Sequence, residues 1–141
     1  YQGLGEVFTE LYRRLMTWAE PRGFVQPGTP LFNLYHDDPS LTDDDRLRLT
    51  VCLPVPNETA AEGDIGRLAI PAGAVAVGRF ELGVSDYPEA WYAMAAGWMP
   101  DSGYEPDDRL PFERFIVGRT AGGEDAEVVD VGIPVRPLRR Y

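Results

Sequence analysis

The stretch Val51-Cys-Leu-Pro-Val55 recurs eighty residues later as Val131-Gly-Ile-Pro-Val135, and this recurrence indicates how the chain is built. The same offset brings Trp18 onto Trp98 without any gap. Self-similarity at a fixed period is the sequence signature of a repeated structural unit. We therefore interpret the chain as two copies of one motif.

Each copy contains one predicted amphipathic helix. Its apolar side chains recur at the spacing of one helical face, and Gly23 and Gly103 follow where a helix end is expected. In the second copy, Asp86 and Glu89 are three residues apart and predict a capping box at the helix start. The predicted apolar faces consist of Val7, Phe8, Leu11, Tyr12, Leu15, Met16 and Trp18 in the first helix, and of Tyr87, Trp91, Met94, Ala95 and Trp98 in the second.

Strands are predicted where apolar and polar residues alternate. After each helix comes a short strand, at 31–36 and 112–117, and then a longer strand, at 47–55 and 129–135. One more strand, at 74–80, precedes the second helix. The repeating unit is therefore strand, helix, strand, strand, which predicts an α+β fold built from a duplicated βαββ motif.

The whole chain, 1–141, is predicted to be a single domain. The first repeat covers 1–55, a polar connector covers 56–66, and the second repeat covers 67–137. The strand at 74–80 has no counterpart in the first repeat, so we expect residues upstream of residue 1 to supply one.

Composition narrows the classes of function. The chain carries a net charge of -10, and all 13 basic residues are arginine, so its surface should repel a phosphate backbone rather than bind one. No apolar run reaches the length that a bilayer requires. The single cysteine, Cys52, cannot form an internal disulfide and lies in an alternating strand, where a small buried hydrophobe is expected. With no signal-like stretch at the start, we expect a cytoplasmic protein.

Five short motifs carry a resemblance to a known family. In chain order they are Tyr35-His-Asp-Asp-Pro39, Leu53-Pro-Val55, Pro71-Ala-Gly-Ala-Val-Ala-Val77, Pro111-Phe-Glu113 and Ile133-Pro-Val135. Together they resemble the GyrI-like small-molecule-binding domain, which also forms the effector-binding half of AraC-type and MerR-type transcription regulators. The resemblance implies pseudo-twofold symmetry between the two βαββ copies, an antiparallel sheet with two helices on one face, and a cleft between the helices.

The resemblance also implies three kinds of activity. Members include regulator domains that bind organic, often cationic or aromatic compounds, stand-alone gyrase-modulating proteins, and hydrolases of reactive cyclopropane-bearing natural products. The family's acidic pocket residue falls on Glu113, and its helix aromatic falls on Trp91. Phe115 stands where tyrosine is common, and this departure counts against a hydrolase.

Glu113 is the first candidate for the ligand site. It shares a strand face with Phe115, and this face is expected to line the core or the cleft. Its repeat partner is Asn33, so the acid breaks the duplication. A buried carboxylate must be hydrated, paired or placed opposite a cation. We predict that Glu113 receives the positive charge of a ligand; the alternative is an ion pair with Arg79 or Arg114.

Aromatic residues are expected to form the walls of the cleft, with plain packing between helix and sheet as the alternative. Trp91 is the strongest of them because its repeat partner is Leu11, which makes the ring specific to one copy. For Trp18 and Trp98, which recur in both copies, packing is the preferred interpretation. The other predicted ligand contacts are Phe8, Tyr12, Asn33, Tyr35, Tyr92 and Phe115.

Two acidic runs bear on a metal site. Asp37-Asp38 and Asp43-Asp44-Asp45 lack the alternating ligand spacing of a calcium loop, so we expect a solvated turn. The sequence contains neither a phosphate-binding glycine loop nor a Ser-His-Asp arrangement. We therefore predict no metal and no cofactor.

These observations predict a domain that binds a small amphipathic or cationic aromatic molecule as the effector domain of a transcription regulator. DNA would be contacted only through a region upstream of this chain. No membrane partner is expected, and the sequence leaves open whether the chain forms a dimer. One alternative is a stand-alone hydrolase with Glu113 as the base toward water. Another is a gyrase-modulating module that binds a protein partner. The departure at Phe115 favours binding over catalysis.

Overall fold

The computed structural model of the chain describes residues 5–37, 42–43, 46–83, 85–122 and 126–138. Of the predicted acidic turn, Asp38, Asp44 and Asp45 lie outside these residues, as does the side chain of Val7 in the first helix. In chain order the elements are helix α1 (Gly5–Ala19), strands β1 (Pro30–Tyr35), β2 (Leu49–Cys52) and β3 (Val75–Leu82), helix α2 (Tyr87–Tyr92), and strands β4 (Tyr104–Pro106), β5 (Phe112–Ile116) and β6 (Glu127–Pro137).

The strands form one open antiparallel sheet in the order β2-β1-β5-β6-β3, with the short β4 paired to the end of β6. β1 and β5 are neighbours, and Asn33 of β1 lies directly opposite Glu113 of β5. The predicted α+β class with an antiparallel sheet is confirmed. The duplication and its pseudo-twofold symmetry stay a prediction.

Both helices pack on the same face of the sheet. Trp91 of α2 belongs to a buried apolar cluster with Val129 of β6. Leu15 of α1 packs with Leu31 of β1 in a second cluster. Burial of each such side chain stabilises the fold by about 1.5–3 kcal/mol relative to exposure. Phe115 of β5 contacts both clusters, so the space between the helices lies over the middle of the sheet.

The strands differ from the predicted ones chiefly in β2, β6 and β4, and the bounds of the other three strands shift by one or two residues. β2 is shorter than the predicted 47–55, because Pro54 and Pro56 have no N–H group to donate to a ladder. β6 is longer than the predicted 129–135, because it pairs along its length with β3, β5 and β4. Alternation does not predict β4, since its three residues are too few to show a period.

The second helix departs from the continuous helix that the apolar spacing predicts. It is α-helical at Tyr87–Tyr92, π-helical at Ala93–Trp98, and ends in a 3-10 turn at Met99–Asp101. The predicted capping box is wrong: Asp86 stands at the N-cap, but its carboxylate accepts the N–H of Gly83 at 2.8 Å. The backbone of Asp86 is already helical (φ -94°, ψ -7°), whereas a capping side chain needs an extended conformation.

The helix ends agree with the glycine signals. Gly23 follows the 3-10 turn Glu20–Arg22 with φ 75°, and Gly103 has φ 79°. Both values lie in the left-handed region, where glycine has no Cβ to clash. Neither helix in the described part of the chain has both the length and the apolar character that a membrane crossing requires.

Cys52 lies half-buried at the end of β2. Burial raises the pKa of its thiol to about 11. Because the thiolate is the reactive form of cysteine, this shift supports the packing role that the strand pattern predicts for it.

Candidate ligand-binding site

A cleft of about 670 Å³ opens between the helices, on the covered face of the sheet. Side chains of β1, β2 and β5 form its floor, which Leu31 and Phe115 make apolar. Phe8 and Tyr12 of α1 line one wall, and Tyr87 comes from α2. Ligand pockets commonly span roughly 300–1,000 Å³, so this volume suits a small organic molecule.

Glu113 lies at the base of this cleft with 1% of its surface exposed. The Tyr35 hydroxyl donates to its Oε1 at 2.7 Å, and the Asn33 amide donates to the same oxygen at 3.1 Å. The indole N–H of Trp91 donates to Oε2 at 2.7 Å. These three donors are neutral, so they stabilise the charge of the carboxylate without cancelling it.

The strand register brings these groups together. Asn33 is the cross-strand partner of Glu113, and Tyr35 lies two residues farther along β1 on the same face. The Tyr35 and Trp91 rings meet edge to face, with 5.3 Å between their centroids and 75° between their planes. Both rings are buried, so packing fixes the hydroxyl and the indole N–H in place before any ligand binds.

The alternative partners of Glu113, Arg79 and Arg114, bind Asp130 on the other face of the sheet. Arg79 Nε is 2.8 Å from Asp130, Arg114 contacts it at 2.9 Å, and Arg119 adds a contact at 3.3 Å. Burial would raise the pKa of Asp130, but hydrogen bonds from Arg79 and Arg114 and the charge of Arg119 lower it to about 2. Alternation along β5 explains the split, because Glu113 and Arg114 are neighbours that point to opposite faces.

Tyr87 belongs to the cleft, although the apolar spacing marks it only as part of a helix face. Its hydroxyl donates to Glu127 Oε2 at 3.3 Å. Burial, together with the negative charges of Glu127 and Glu113, raises the pKa of the phenol above its ordinary value. The hydroxyl therefore stays a neutral donor. Its place four residues before Trp91 is the signal that could have identified it, since such positions share a helix face.

The cleft brings together most of the predicted ligand contacts and leaves two outside its lining. Trp91 lies behind the Glu113 carboxylate, where with Tyr35 it borders a second cavity of about 290 Å³. Tyr92 is 68% exposed and lines neither cavity, because neighbouring helical residues point about 100° apart. The predicted contacts that line the cleft are Phe8, Tyr12, Asn33, Tyr35, Glu113 and Phe115.

The cleft places a buried carboxyl group in an apolar, aromatic surrounding. Among the residues described, no group of three His, Cys, Asp or Glu side chains is placed to hold a metal ion. A surrounding of low polarity strengthens the attraction between Glu113 and a cation, and the face of a ring such as Tyr12 attracts cations as well. The arrangement suits an organic cation with a flat apolar body.

Comparison with known proteins places the chain in a family. The family model described as "GyrI-like small molecule binding domain" matches residues 2–136 of this chain. A DNA gyrase inhibitor of Edwardsiella piscicida is 29% identical over 130 residues, which is 89% of this chain and 80% of that relative. One from Erwinia billingiae (strain Eb661) is 28% identical over 118 residues, 82% of this chain and 74% of that relative. DNA gyrase inhibitor 2 of Dickeya dadantii (strain 3937) is 28% identical over 120 residues, 83% of this chain and 74% of that relative. The resemblance seen in the sequence is confirmed: the chain belongs to the family of GyrI-like small molecule binding domains.

Proposed function

We propose that the cleft binds an amphipathic organic molecule whose positive charge is held by Glu113. The observation that carries this proposal is the buried Glu113 carboxylate at the base of a cleft lined mainly by apolar and aromatic side chains. Such a ligand removes apolar surface from water and places its charge opposite a preorganised carboxylate. Tyr12, which is 38% exposed on α1, is accessible to the flat part of the ligand.

Charge decides between the ligand classes. An anionic ligand would approach Glu113 in a surrounding of low dielectric, where like charges repel strongly. A neutral ligand of the same shape would bury the same apolar surface but gain nothing from the carboxylate. We therefore expect affinity to fall from cation to neutral isostere to anion.

We also infer that the domain derives from two pseudo-twofold copies, 1–55 and 67–137, and that the cleft lies where they meet. In support, β1 and β5, which correspond at the eighty-residue offset, lie side by side, with β2 and β6 on their outer sides. Asn33 and Glu113 correspond in sequence and face each other across the ladder. One copy thus supplies an amide and the other an acid, which would give the ligand a single orientation.

We infer that the biological effect of this domain is to modulate DNA gyrase. The three relatives are named as DNA gyrase inhibitors, which favours gyrase over the transcription-regulator role expected from the sequence. An effector domain would use the same cleft but transmit binding to a DNA-binding region. A supercoiling assay with purified gyrase distinguishes the two: we expect the protein to change gyrase activity, whereas unchanged supercoiling at saturating protein would return weight to the regulator.

Calorimetric titration with matched probes tests the cleft. Each pair consists of an aryl trimethylammonium cation and its neutral tert-butyl isostere. Glu113→Gln should lower the affinity for the cation about 10- to 100-fold and leave the affinity for the isostere unchanged, because only the cation interacts with the buried charge. Glu58→Gln, at an exposed connector position, controls for the loss of one net charge. Equal cation affinity in wild type and Glu113→Gln contradicts the proposal.

The hydrolase alternative is tested on the same complexes. A base at Glu113 would have to activate a water beside a reactive ligand. We expect mass spectrometry to show the ligand returned unchanged, because Phe115 departs from the tyrosine that is common at this position in the family. Conversion that disappears in Glu113→Gln would instead identify an enzyme.

A further inference from the structure

A second acid, Glu127, faces the same cleft as Glu113. It begins β6, and side-chain alternation places it on the face of Val129 and Val131, which are buried beneath the helices. Glu127 itself is exposed and lines the cleft. The cleft thus carries one acid at its base and another where it opens to solvent.

The strand register sets the separation of the two acids. Glu113 is the cross-strand partner of Val131, which lies four residues along β6 from Glu127. At about 3.3 Å per residue, the two backbone positions are roughly 13 Å apart along the strand direction. This is the length of a small elongated molecule rather than of a single ammonium group.

Tyr87 connects the two acids along the cleft wall. Its hydroxyl donates to Glu127, and its ring lines the cleft together with Glu113. The ring therefore borders the path from one carboxylate to the other and offers an apolar face to whatever lies between them.

Among the described residues that line the cleft, Arg119 is the basic one, and its two terminal nitrogens bind groups outside the cleft. Its Nη1 group donates to Asp130 Oδ2 at 3.3 Å, and its Nη2 group donates to the Val128 carbonyl at 2.7 Å. One terminal nitrogen thus contacts the carboxylate on the opposite face, whereas Glu113 and Glu127 line the cleft itself.

We propose that the preferred ligand is an elongated dication, with its inner charge at Glu113, its outer charge at Glu127 and an apolar segment between them. This inference rests on the proposed function of the cleft and specifies the ligand class. The inner contact dominates affinity because it is buried. The outer contact is exposed, so it contributes modestly and is screened by salt.

A homologous series of bis-trimethylammonium alkanes tests the proposal by calorimetry. Each dication is compared with a monocation of equal length in which a tert-butyl group replaces one end. In wild type we expect the dication to bind about three- to tenfold tighter, with an optimum chain length near the separation of the acids. Two identical ends alone give a statistical factor of about two. The advantage should therefore exceed that factor and shrink toward it at high salt.

Three variants separate the outcomes. Glu127→Gln should reduce the dication advantage to the statistical factor and leave the monocation unaffected. Glu113→Gln should weaken both probes, and Glu58→Gln should change neither. If Glu127→Gln keeps the full advantage, or if chain length has no optimum, the dication proposal is overturned while cation binding at Glu113 stands. If Glu113→Gln leaves the monocation unaffected, the proposed function itself fails.

Discussion

Glu113 and Asp130 are two buried acids on neighbouring strands. Their comparison shows that the hydrogen-bonding partners of a carboxylate determine its role. Arg114, the neighbour of Glu113, is the cross-strand partner of Asp130, so the two acids lie close together but on opposite faces of the sheet. Glu113 faces the cleft and accepts hydrogen bonds from neutral groups. Asp130 faces away and is contacted by three guanidinium groups.

The difference assigns the two acids to different tasks. Asp130 neutralises arginines that come from β3, from β5 and from the segment after β5, so it ties separate parts of the sheet together. The carboxyl group of Glu113 is held in place by hydrogen bonds from three neutral donors. Loss of the Asp130 carboxylate should therefore destabilise the fold, and loss of the Glu113 carboxylate should mainly weaken ligand binding.

The largest effect on stability is expected for Asp130→Asn. Removing one partner from a buried ion pair costs about 3–5 kcal/mol, and the partial exposure of the arginines reduces the expected loss to about 2–4 kcal/mol. Urea unfolding measures the free energy. Glu113→Gln, the matched buried acid, should lose less than half as much. Equal losses in the two variants would remove the distinction between the acids.

At acid pH, the unfolding free energies of wild type and Asp130→Asn should become equal. The pKa of Asp130 is lowered from 3.8 to about 2 in the folded protein. A lowered folded-state pKa contributes stability that is fully present above the unfolded-state value and is lost as pH falls through the folded value. The two proteins should differ by a constant amount above about pH 4 and converge toward pH 2. Urea midpoints across this range check the prediction; a difference that persists undiminished contradicts it.

Sequence patterns predict the Glu113 side of this comparison and leave the role of Asp130 unassigned. Alternation along β5 places Glu113 and Phe115 on one face, and the eighty-residue offset pairs Asn33 with Glu113. That Asn33 lies directly opposite Glu113 is a finding of the structure, since the offset states only that the two residues correspond in the repeats. The α+β class follows from patterns of this kind, because a period is a property of a short stretch of chain, whereas the assignment of Glu113 to the pocket rests also on the family resemblance.

Partners across elements could not be predicted in the same way. Arg79 meets Asp130 because β3 pairs with β6 in one register, and no local pattern in either strand specifies that register. The sequence predicts Tyr92 in the cleft, but Tyr87 lines it. This difference depends on how the short α-helical segment is rotated before the helix becomes π-helical. The failure of the cap at Asp86 depends on its backbone conformation.

A smaller effect is expected for Tyr35→Phe, which removes one hydrogen bond to Glu113 and keeps the ring against Trp91. Loss of one donor to a buried carboxylate costs about 1–2 kcal/mol of unfolding free energy. The carboxylate itself remains, so cation affinity should stay within about threefold of wild type. Urea unfolding and calorimetry measure the two quantities. A loss of cation binding as large as in Glu113→Gln would show that the hydroxyl, rather than the charge, holds the ligand.

The smallest effect on binding is expected for Arg114→Gln, and it decides whether the two acids are independent. Arg114 points away from the cleft toward Asp130, so cation affinity should remain within about twofold of wild type. If Arg114 were the counter-ion of Glu113, its removal would free the carboxylate and raise cation affinity. Arg79→Gln is the matched control, since it removes a more exposed arginine from the same carboxylate and should lose less stability. A gain in cation affinity confined to Arg114→Gln would mean that the sheet does not insulate one acid from the other.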